Sequence, residues 1–420
     1  MSRNIVPRIN KGSDLGTVFK NWNKLYVDAI ILRGNDLKAL LDSKTDLETL
    51  TTKGDLYVAE GPGAITRLPA GEDGYVLRAN SINPKGLDWV PAGARQELTG
   101  NVTVTVGNTG DFPTINSALE SVVALYYPKY IKGNCPKVTI KLLPGFIMAE
   151  QVLVESLDLS WITITSDEPE TSVVRSALTT FGPSHNFGGP LSCPVFGAYN
   201  GGFLPIIGQL FNMDNSPHNY PTYTHGVFVF NNSRAIVLSG CGVKHSMSNI
   251  YAVNNSIVEA SGANLIESKS ASIQAENGSI VNAPNITASA SPSASMVVNA
   301  EQNSIINVRN GTILGGVEAI YANYNSFINA NNIIVTGCLS GITANNNSII
   351  NANGANMTAF TCTDTSGIWA ENGSFINAQN ANVEKPVYVQ NGSIVNANGL
   401  TGTLMQTPNI ITKDGIIFKA

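Results

Sequence analysis

Charged side chains are scarce in this sequence of 420 residues. Asp, Glu, Lys and Arg make up 13% of the chain, against about 25% in an ordinary globular protein. The 25 Lys and Arg are outnumbered by 30 Asp and Glu, which gives a net charge of −5. This balance argues against a nucleic-acid-binding protein, which normally carries a basic domain or stripe. Because 43% of the residues are hydrophobic, the low charge does not indicate disorder.

The sequence also lacks long apolar runs and paired cysteines. No segment approaches the ~20 apolar residues that span a bilayer, and residues 1–12 lack the apolar core of a secretory signal. The five cysteines are scattered without a Cys-x-x-Cys pair, and the four histidines lack metal-ligand spacing. We therefore expect free thiols in a protein made in a reducing cytoplasm, with no metal, no cofactor and no membrane insertion.

A repeat of about 23 residues dominates the chain from residue 227 onward. Each copy contains Asn, Tyr or Gln, then Asn or Gly, then Ser, followed by Ile or Phe, an aliphatic residue and usually Asn and Ala, and the first copy is degenerate. The serines are Ser233, Ser256, Ser279, Ser304, Ser326, Ser348, Ser374 and Ser393. Positions six and four before the serine, and two and four after it, are apolar and two apart, the period of a strand with one buried face.

Short strands that repeat in register predict an all-β fold, a parallel β-helix with about 23 residues per coil. Leucine-rich repeats have a similar period, but the L-x-x-L-x-L framework is missing here. In a β-helix the Asn three residues after each serine would form a ladder of amides between coils. These residues are Asn282, Asn307, Asn329, Asn351, Asn377 and Asn396.

The residue directly after each serine is apolar and should point out of the coil by alternation. We call this set the outer apolar column: Ile257, Ile280, Ile305, Phe327, Ile349, Phe375 and Ile394. An exposed column of this kind predicts a subunit interface between identical chains. The alternative is a wider coil that takes these side chains inside.

Aromatic residues recur five positions before the serine, with amides and carboxylates three positions before it. Flat rings can stack on sugar faces while amides and acids match hydroxyls, so these positions form a candidate glycan-binding face. Its proposed members are Tyr251, Tyr321, Trp369, Tyr388 and Glu371. The alternative is ordinary β-propensity, which favours aromatic residues on any pleated surface.

Candidate catalytic groups are few. Glu276 and Glu301 occupy equivalent positions on adjacent coils, which would place their carboxyls about 5 Å apart, near the spacing in retaining glycosidases. Any two stacked acids would satisfy this spacing. Asp214 and His218 lie in a segment rich in Gly, Pro and aromatics, residues 181–225, which we interpret as a long insertion that is either functional or a packing surface.

Three phrases near the N-terminus carry a family resemblance: T-K-G-D-L-Y-V at 52–58, L-P-A-G-E-D-G-Y-V-L at 68–77 and G-L-D-W-V at 86–90. They resemble a short module of bacteriophage tail fibre and tailspike proteins. The entry region around residues 107–145 looks like the start of a pectate-lyase-like right-handed β-helix. Residues 110–114 also look slightly like pectin methylesterases, whose paired catalytic aspartates are missing here.

The resemblance implies a homotrimeric virion tail appendage, synthesised in the host bacterial cytoplasm. Residues 1–50 would be a partly helical attachment segment that docks on the tail or baseplate, and residues 51–95 a neck module. Residues 96–226 would form the β-helix entry with a capping helix over 113–125, and residues 227–420 the regular coils. The chain would then bind host surface polysaccharide; a hydrolase or lyase of that polysaccharide is the alternative, and a bacterial adhesin a remote one.

Overall fold

The computed structural model describes residues 31–32, 35–36, 50–80, 83–92, 95–128, 135–179, 191–213, 222–291, 296–360, 366–402, 410–412 and 414–418. The chain divides into two compact units, residues 1–94 and residues 95–420. No helix within the described ranges is long and apolar enough to cross a membrane.

The described residues of the first unit contain three antiparallel strand pairs. They are β1 (Ile31–Leu32) with β2 (Asn35–Asp36), β3 (Leu56–Gly61) with β4 (Ala64–Leu68), and β5 (Tyr75–Ala79) with β6 (Leu87–Pro91). Asp55 accepts hydrogen bonds from Arg67 Nε (2.7 Å) and from the backbone N–H of Thr51, Thr52 and Ala70. The Arg67 guanidinium is the main reason that the pKa of Asp55 falls to about 2. Asp55 therefore ties the start of the first hairpin to the segment that follows it.

The second unit stacks its strands into three faces, which the chain visits in the order 1, 2, 3. Face 1 consists of β8 (Val102–Val106), β10 (Val138–Leu142), β13 (Ile162–Ser166), β16 (Ile206–Gly208), β19 (Arg234–Ile236), β22 (Ile257–Glu259), β25 (Ile280–Asn282), β28 (Ile305–Asn307), β31 (Phe327–Asn329), β34 (Ile349–Asn351), β37 (Phe375–Asn377), β40 (Ile394–Asn396) and β42 (Ile416–Phe418).

Face 2 consists of β11 (Ile147–Met148), β14 (Thr171–Val173), β17 (Leu210–Met213), β20 (Gly242–Lys244), β23 (Asn264–Ser268), β26 (Thr287–Ala290), β29 (Thr312–Leu314), β32 (Ile334–Thr336), β35 (Asn356–Thr358) and β38 (Asn382–Val383). Faces 1 and 2 each consist of two successive sheets. Backbone hydrogen bonds join the last strand of one sheet to the first strand of the next, for example from Asn264 N–H to Cys241 O at 2.9 Å.

Face 3 is one continuous sheet of 11 strands. They are β12 (Val152–Glu155), β15 (Leu191–Tyr199), β18 (Thr222–Phe230), β21 (Ser248–Val253), β24 (Ala271–Glu276), β27 (Met296–Glu301), β30 (Glu318–Asn323), β33 (Ser340–Ala344), β36 (Ile368–Ala370), β39 (Val387–Gln390) and β41 (Ile410–Thr412). All of its described pairings are parallel, as they are in the other two faces. The predicted parallel β-helix is therefore confirmed.

The helix predicted over residues 113–125 is observed as α1 (Ile115–Leu125). Thr114 caps it, and the N–H groups of Ile115 and Asn116 donate to the Glu150 carboxylate at 2.6 and 3.0 Å. Ile115, Ala118, Leu119 and Val122 are buried in the same core as the first strands of face 1. Nearby lie a parallel pair, β7 (Gln96–Glu97) with β9 (Tyr126–Tyr127), and a 3-10 turn at Arg175–Ala177.

The coil interior is filled by columns of aliphatic residues at equivalent positions. Ile273, Val298, Ile320 and Ile342 pair in sequence along face 3, and none is more than 1% exposed. At the corner between faces 3 and 1, the backbone N–H of each repeat serine donates to the Oγ of the next, as Ser256 does to Ser279 at 3.2 Å. This internal serine ladder satisfies backbone donors that the tight turn would otherwise leave unpaired.

The predicted asparagine ladder is present on face 1 at three steps, which join Asn282 to Asn307, Asn351 to Asn377, and Asn377 to Asn396. Asn307 Nδ2 donates to Asn282 Oδ1 at 2.8 Å, and Asn396 Nδ2 donates to Asn377 Oδ1 at 2.9 Å. A second asparagine ladder runs along the turns between faces 3 and 1, where Asn277 Nδ2 donates to Asn254 Oδ1 at 3.0 Å. Residues there have positive φ, for example 56° at Asn254, a conformation that asparagine tolerates better than most residues.

The range 181–225 differs from the expected insertion where it is described. Residues 191–199 form β15 and residue 222 begins β18, and these two strands pair from Leu191 with Thr222 to Tyr199 with Phe230. Residues 206–213 likewise supply β16 and β17 to faces 1 and 2. The strands described in this range therefore belong to the coils, while residues 181–190 and 214–221 lie outside the described residues.

Candidate functional site

Face 3 carries two columns of side chains on the side of its strands away from the coil interior, at five and three positions before each repeat serine. Four of these side chains are nevertheless buried: Phe228, Val253, Asn299 and Asn323. The first column contains Phe228, Tyr251, Gln274, Asn299, Tyr321, Thr343, Trp369 and Tyr388, and the second contains Phe230, Val253, Glu276, Glu301, Asn323, Asn345, Glu371 and Gln390. Strand alternation places them there because the residues between and beside them fill the coil interior. We call these two columns together the aromatic–amide surface.

Its early coils are aromatic. His225 stacks with Phe228 at a ring-centroid distance of 5.7 Å, and Phe228 lies 5.4 Å from Tyr251. Phe230 stacks in turn with Tyr199 on the preceding coil at 6.2 Å. Tyr251 is one of the predicted glycan-binding residues, and these contacts fix its ring in place.

The middle coils carry hydrogen-bonded acids. Glu276 accepts from Gln274 Nε2 at 2.6 Å and from Tyr251 Oη at 3.1 Å. Glu301 accepts from Asn299 Nδ2 at 3.0 Å, while the buried Asn299 Oδ1 has no hydrogen-bond partner. Each acid is thus oriented by an amide two residues earlier on its own strand. In the second case the amide oxygen, Asn299 Oδ1, is left without a hydrogen bond.

Burial perturbs the acid–base chemistry of this part of the surface. Burial raises the pKa of Glu276, hydrogen bonds from Gln274 and Tyr251 lower it, and the Glu301 carboxylate raises it. Burial also raises the pKa of Tyr321, with further increases from Glu318 and Glu301. The acids and tyrosines of four successive coils, from Tyr251 to Tyr321, therefore lie close enough for the acids to shift the pKa of their neighbours.

Glu318 belongs to this group, although the sequence analysis did not single it out. It lies eight residues before Ser326, at the start of β30, and pairs with Met296 and Ser340 on the adjacent coils. Burial raises the pKa of Glu318 to about 7, against the lowering effect of a hydrogen bond with Thr343. Its position eight residues before the serine could have pointed to Glu318, but no other copy of the repeat has an acid at that position.

The late coils present the most open aromatic pair. Trp369 and Tyr388 stack at a centroid distance of 5.7 Å and an interplanar angle of 26°, and Trp369 is 38% exposed. Trp369 Nε1 donates to Glu371 Oε2 at 3.1 Å, and Gln390 Nε2 donates to the same oxygen. Two neighbouring rings, a carboxylate and an amide are therefore held together at one accessible place.

The predicted site residues are thus distributed along one surface. Tyr251, Glu276 and Glu301 lie together, Tyr321 lies two coils beyond Glu276, and Trp369, Tyr388 and Glu371 form a separate cluster. The other two candidates, Asp214 and His218, lie outside the described residues.

The outer apolar column lies on the exterior of face 1, so the alternative of a wider coil that encloses it is wrong. Ile280 and Phe375 are 36% exposed, Ile305 42% and Ile349 43%, while the next residues inward, such as Val281, are buried. Ile257, Phe327 and Ile394 are half-buried in the same register. The column is continuous because each of these residues pairs with its equivalent on the next coil.

No protein-family model matches the chain, and no curated protein matches it. Among solved structures, the chain is similar to the gp42 tailspike of Acinetobacter phage vb_AbaP_AS12, with 10% sequence identity and a TM-score of 0.47. The similarity covers 68% of this chain and 58% of the tailspike, so the chain spans less than two thirds of that protein's length. The assignment of the second unit as a parallel β-helix stands on its own strand pairing.

Proposed function

We propose that this chain is a subunit of a homotrimeric phage tail appendage that binds a host cell-surface glycan. The N-terminal phrases that resemble tail fibre modules support attachment to the tail or baseplate, and the β-helix provides a rigid surface for recognition. Face 3 supplies that surface, and the outer apolar column of face 1 supplies the contact between subunits. The appendage acts in the virion.

The observation that carries glycan binding is the cluster of Trp369, Tyr388, Glu371 and Gln390. Ligand sites combine aromatic surface with a few oriented polar groups, and this cluster has both on neighbouring strands. The stacked rings offer an apolar platform for the face of a sugar ring. The Glu371 carboxylate is already oriented by Trp369 Nε1 and Gln390, and its remaining acceptor positions are suited to sugar hydroxyls.

Replacing Trp369 by Thr is expected to weaken adsorption of the purified protein to host cells by about tenfold, the equivalent of about 1.4 kcal/mol. Thr343 occupies the equivalent position on the preceding coil, so the variant should keep its melting temperature. Adsorption is measured from the depletion of labelled protein by host cells.

The matched control is Tyr324→Asn, which removes an exposed aromatic ring from a turn outside the surface. Asn suits the positive φ of 51° at Tyr324 and is the commonest residue at equivalent positions. Adsorption should be unchanged in this variant. Equal adsorption of the Trp369→Thr variant and the parent chain would refute a role for the late coils in binding.

Glycan cleavage is the second candidate function, and the raised pKa values of Glu276 and Glu318 favour it. A carboxyl that stays protonated near neutral pH can act as a general acid, and Glu301 provides a second carboxylate nearby. Each member of the Glu276–Glu301 pair is, however, already held by an amide of its own strand. We therefore propose binding without cleavage.

Binding without cleavage predicts that no new reducing ends and no unsaturated uronates appear when the protein is incubated with host polysaccharide. The same assay is run on Glu276→Gln and Glu301→Gln, with Glu259→Gln as a control on face 1, where Glu259 contacts Asn282. Product release that disappears in the first two variants and persists in the control would establish a depolymerase instead.

A further inference from the structure

The middle coils of face 3 contain a buried hydrogen-bond acceptor without a donor. Asn299 is 5% exposed, and its Oδ1 has no hydrogen-bond partner. Its Nδ2 donates to Glu301 Oε1 at 3.0 Å. Because an ionised carboxylate only accepts hydrogen bonds, the amide cannot turn over and exchange its two atoms. A buried acceptor left unsatisfied costs about 1–3 kcal/mol, and a ligand of positive charge beside Oδ1 would remove that cost.

Two carboxylates share this part of the surface. The pairing of β24 with β27 runs up to Ala275 with Ala300, and Glu276 and Glu301 are the next residues on these strands. Neighbouring strands lie about 4.8 Å apart. Burial raises the pKa of Glu276, and the Glu301 carboxylate raises it further. The two carboxylates are therefore close enough to repel each other, with the Asn299 amide held against the second.

Hydrogen bonds orient both carboxylates without using all their acceptor positions. Glu276 accepts from Gln274 Nε2 at 2.6 Å with one oxygen and from Tyr251 Oη at 3.1 Å with the other. Glu301 accepts from Asn299. Since a carboxylate offers about four lone-pair positions, each of these groups retains positions for a ligand.

Neighbouring cations do not balance this negative charge. The pKa of Tyr251 is raised by burial and then by Glu276 and Glu301, and the pKa of Tyr321 is raised by burial and then by Glu318 and Glu301. No Lys, Arg or His among the described residues contributes to these shifts or to that of Glu276. A cation from solution would relieve the repulsion between the two coils.

We propose that the Glu276 and Glu301 carboxylates and Asn299 Oδ1 bind a calcium ion. Carboxylate and amide oxygens are the ligands that Ca²⁺ takes, and water completes its coordination of about 6–8 oxygens. The described ranges contain no group of three or more His, Cys, Asp or Glu that could hold a metal, so this site depends on the amide oxygen. The ion joins β24 to β27 and gives the acid pair a role other than catalysis.

Calorimetric titration of the full chain with CaCl₂, after dialysis against a chelator, tests the proposal. Two carboxylates form a weak calcium site, so we expect a Kd on the order of 10⁻⁴ to 10⁻³ M. Saturating calcium should also raise the melting temperature, because the ion binds only the folded chain. MgCl₂ should bind at least about tenfold more weakly, because Mg²⁺ demands octahedral geometry and gives up its water reluctantly.

Three variants separate calcium binding from a structural role of the same residues. Asn299→Val removes the buried acceptor and keeps a residue that suits a strand; it should weaken calcium binding at least about tenfold and retain the parent's melting temperature without calcium. Glu301→Gln should weaken calcium binding by a similar factor. Glu259→Gln, the matched control, removes an exposed acid on face 1 and should change calcium binding less than about twofold.

The proposal is overturned if CaCl₂ at about 10 mM, well above the expected Kd, produces neither heat of binding nor a higher melting temperature. It is also overturned if MgCl₂ binds equally well, if Asn299→Val or Glu301→Gln binds calcium like the parent, or if Glu259→Gln loses binding too. D-glucosamine hydrochloride is the organic cation probe, and its binding in place of calcium would refute a metal site. The CaCl₂ titration contains no sugar, so its outcome is independent of glycan binding.

Discussion

Replacing Ile320 by Asp is expected to unfold the β-helix. Ile320 has no exposed surface and lies in the internal column between Val298 and Ile342. Transfer of an unpaired carboxylate into such a site costs far more than a hydrogen bond, while the whole free energy of unfolding of a domain is about 5–15 kcal/mol. We expect loss of the cooperative melting transition and rapid proteolysis throughout residues 227–402.

The matched control is Ile334→Asp, at a side chain that is 43% exposed on face 2. Because its carboxylate remains in water, this variant should melt within a few degrees of the parent chain. Circular dichroism melting and limited proteolysis compare the two variants directly. If Ile320→Asp kept the parent's melting temperature, residues six before the serine would not form the core, and the face assignments would be wrong.

The regular coils could be predicted from the sequence because every coil repeats the same alternation of inward and outward residues around a serine. Val298, Ile320 and Ile342 are recognisable as inward residues from their spacing to a serine, and pairing in register then follows for all coils at once. The same logic predicted a ladder of asparagine amides between coils, as Asn307 and Asn282 form. Because each coil packs on its neighbours in the same way, a pattern recognised in one coil applies to the whole stack.

The sequence was insufficient where coils depart from that phrase. In residues 191–213 the strands lack the Asn-Ser turn, so the sequence of an aromatic, Pro-containing strand such as β15 wrongly predicts part of an insertion. His245 Nε2 lies 2.9 Å from Glu267 Oε2, next to a shift of register in the pairing of β23 with β26. Contacts of this kind depend on side chains from coils separated by variable numbers of residues, and no fixed spacing reveals them.

The outer apolar column also has consequences for assembly. It is a continuous row of Ile and Phe along face 1, and Ile416 at 46% exposure extends it beyond Ile394. Extended apolar patches on a folded surface usually mark interfaces, and identical chains that share such a patch close most simply into a ring. Three copies packed through face 1 would remove this row from water.

Introducing Asp at both Ile305 and Ile349 is therefore expected to convert a trimer into folded monomers. Two carboxylates in the centre of the contact would be desolvated without partners, at a cost of several kcal/mol each, whereas in the monomer both positions are exposed at 42% and 43%. Sedimentation equilibrium should give three times the chain mass of 44.4 kDa for the parent and the single mass for the double variant. A parent chain that sediments as a folded monomer would refute the interface.

The choice of face has its own control, the pair Ile147→Asp and Ile334→Asp on face 2, at 58% and 43% exposure. These substitutions add the same charge at positions that are at least as exposed as Ile305 and Ile349, and they leave the outer apolar column unchanged. The trimer should persist in this variant because face 2 stays in contact with water. If the face 2 pair dissociated the trimer and the face 1 pair did not, the subunits would associate through face 2, and the apolar column would need another partner.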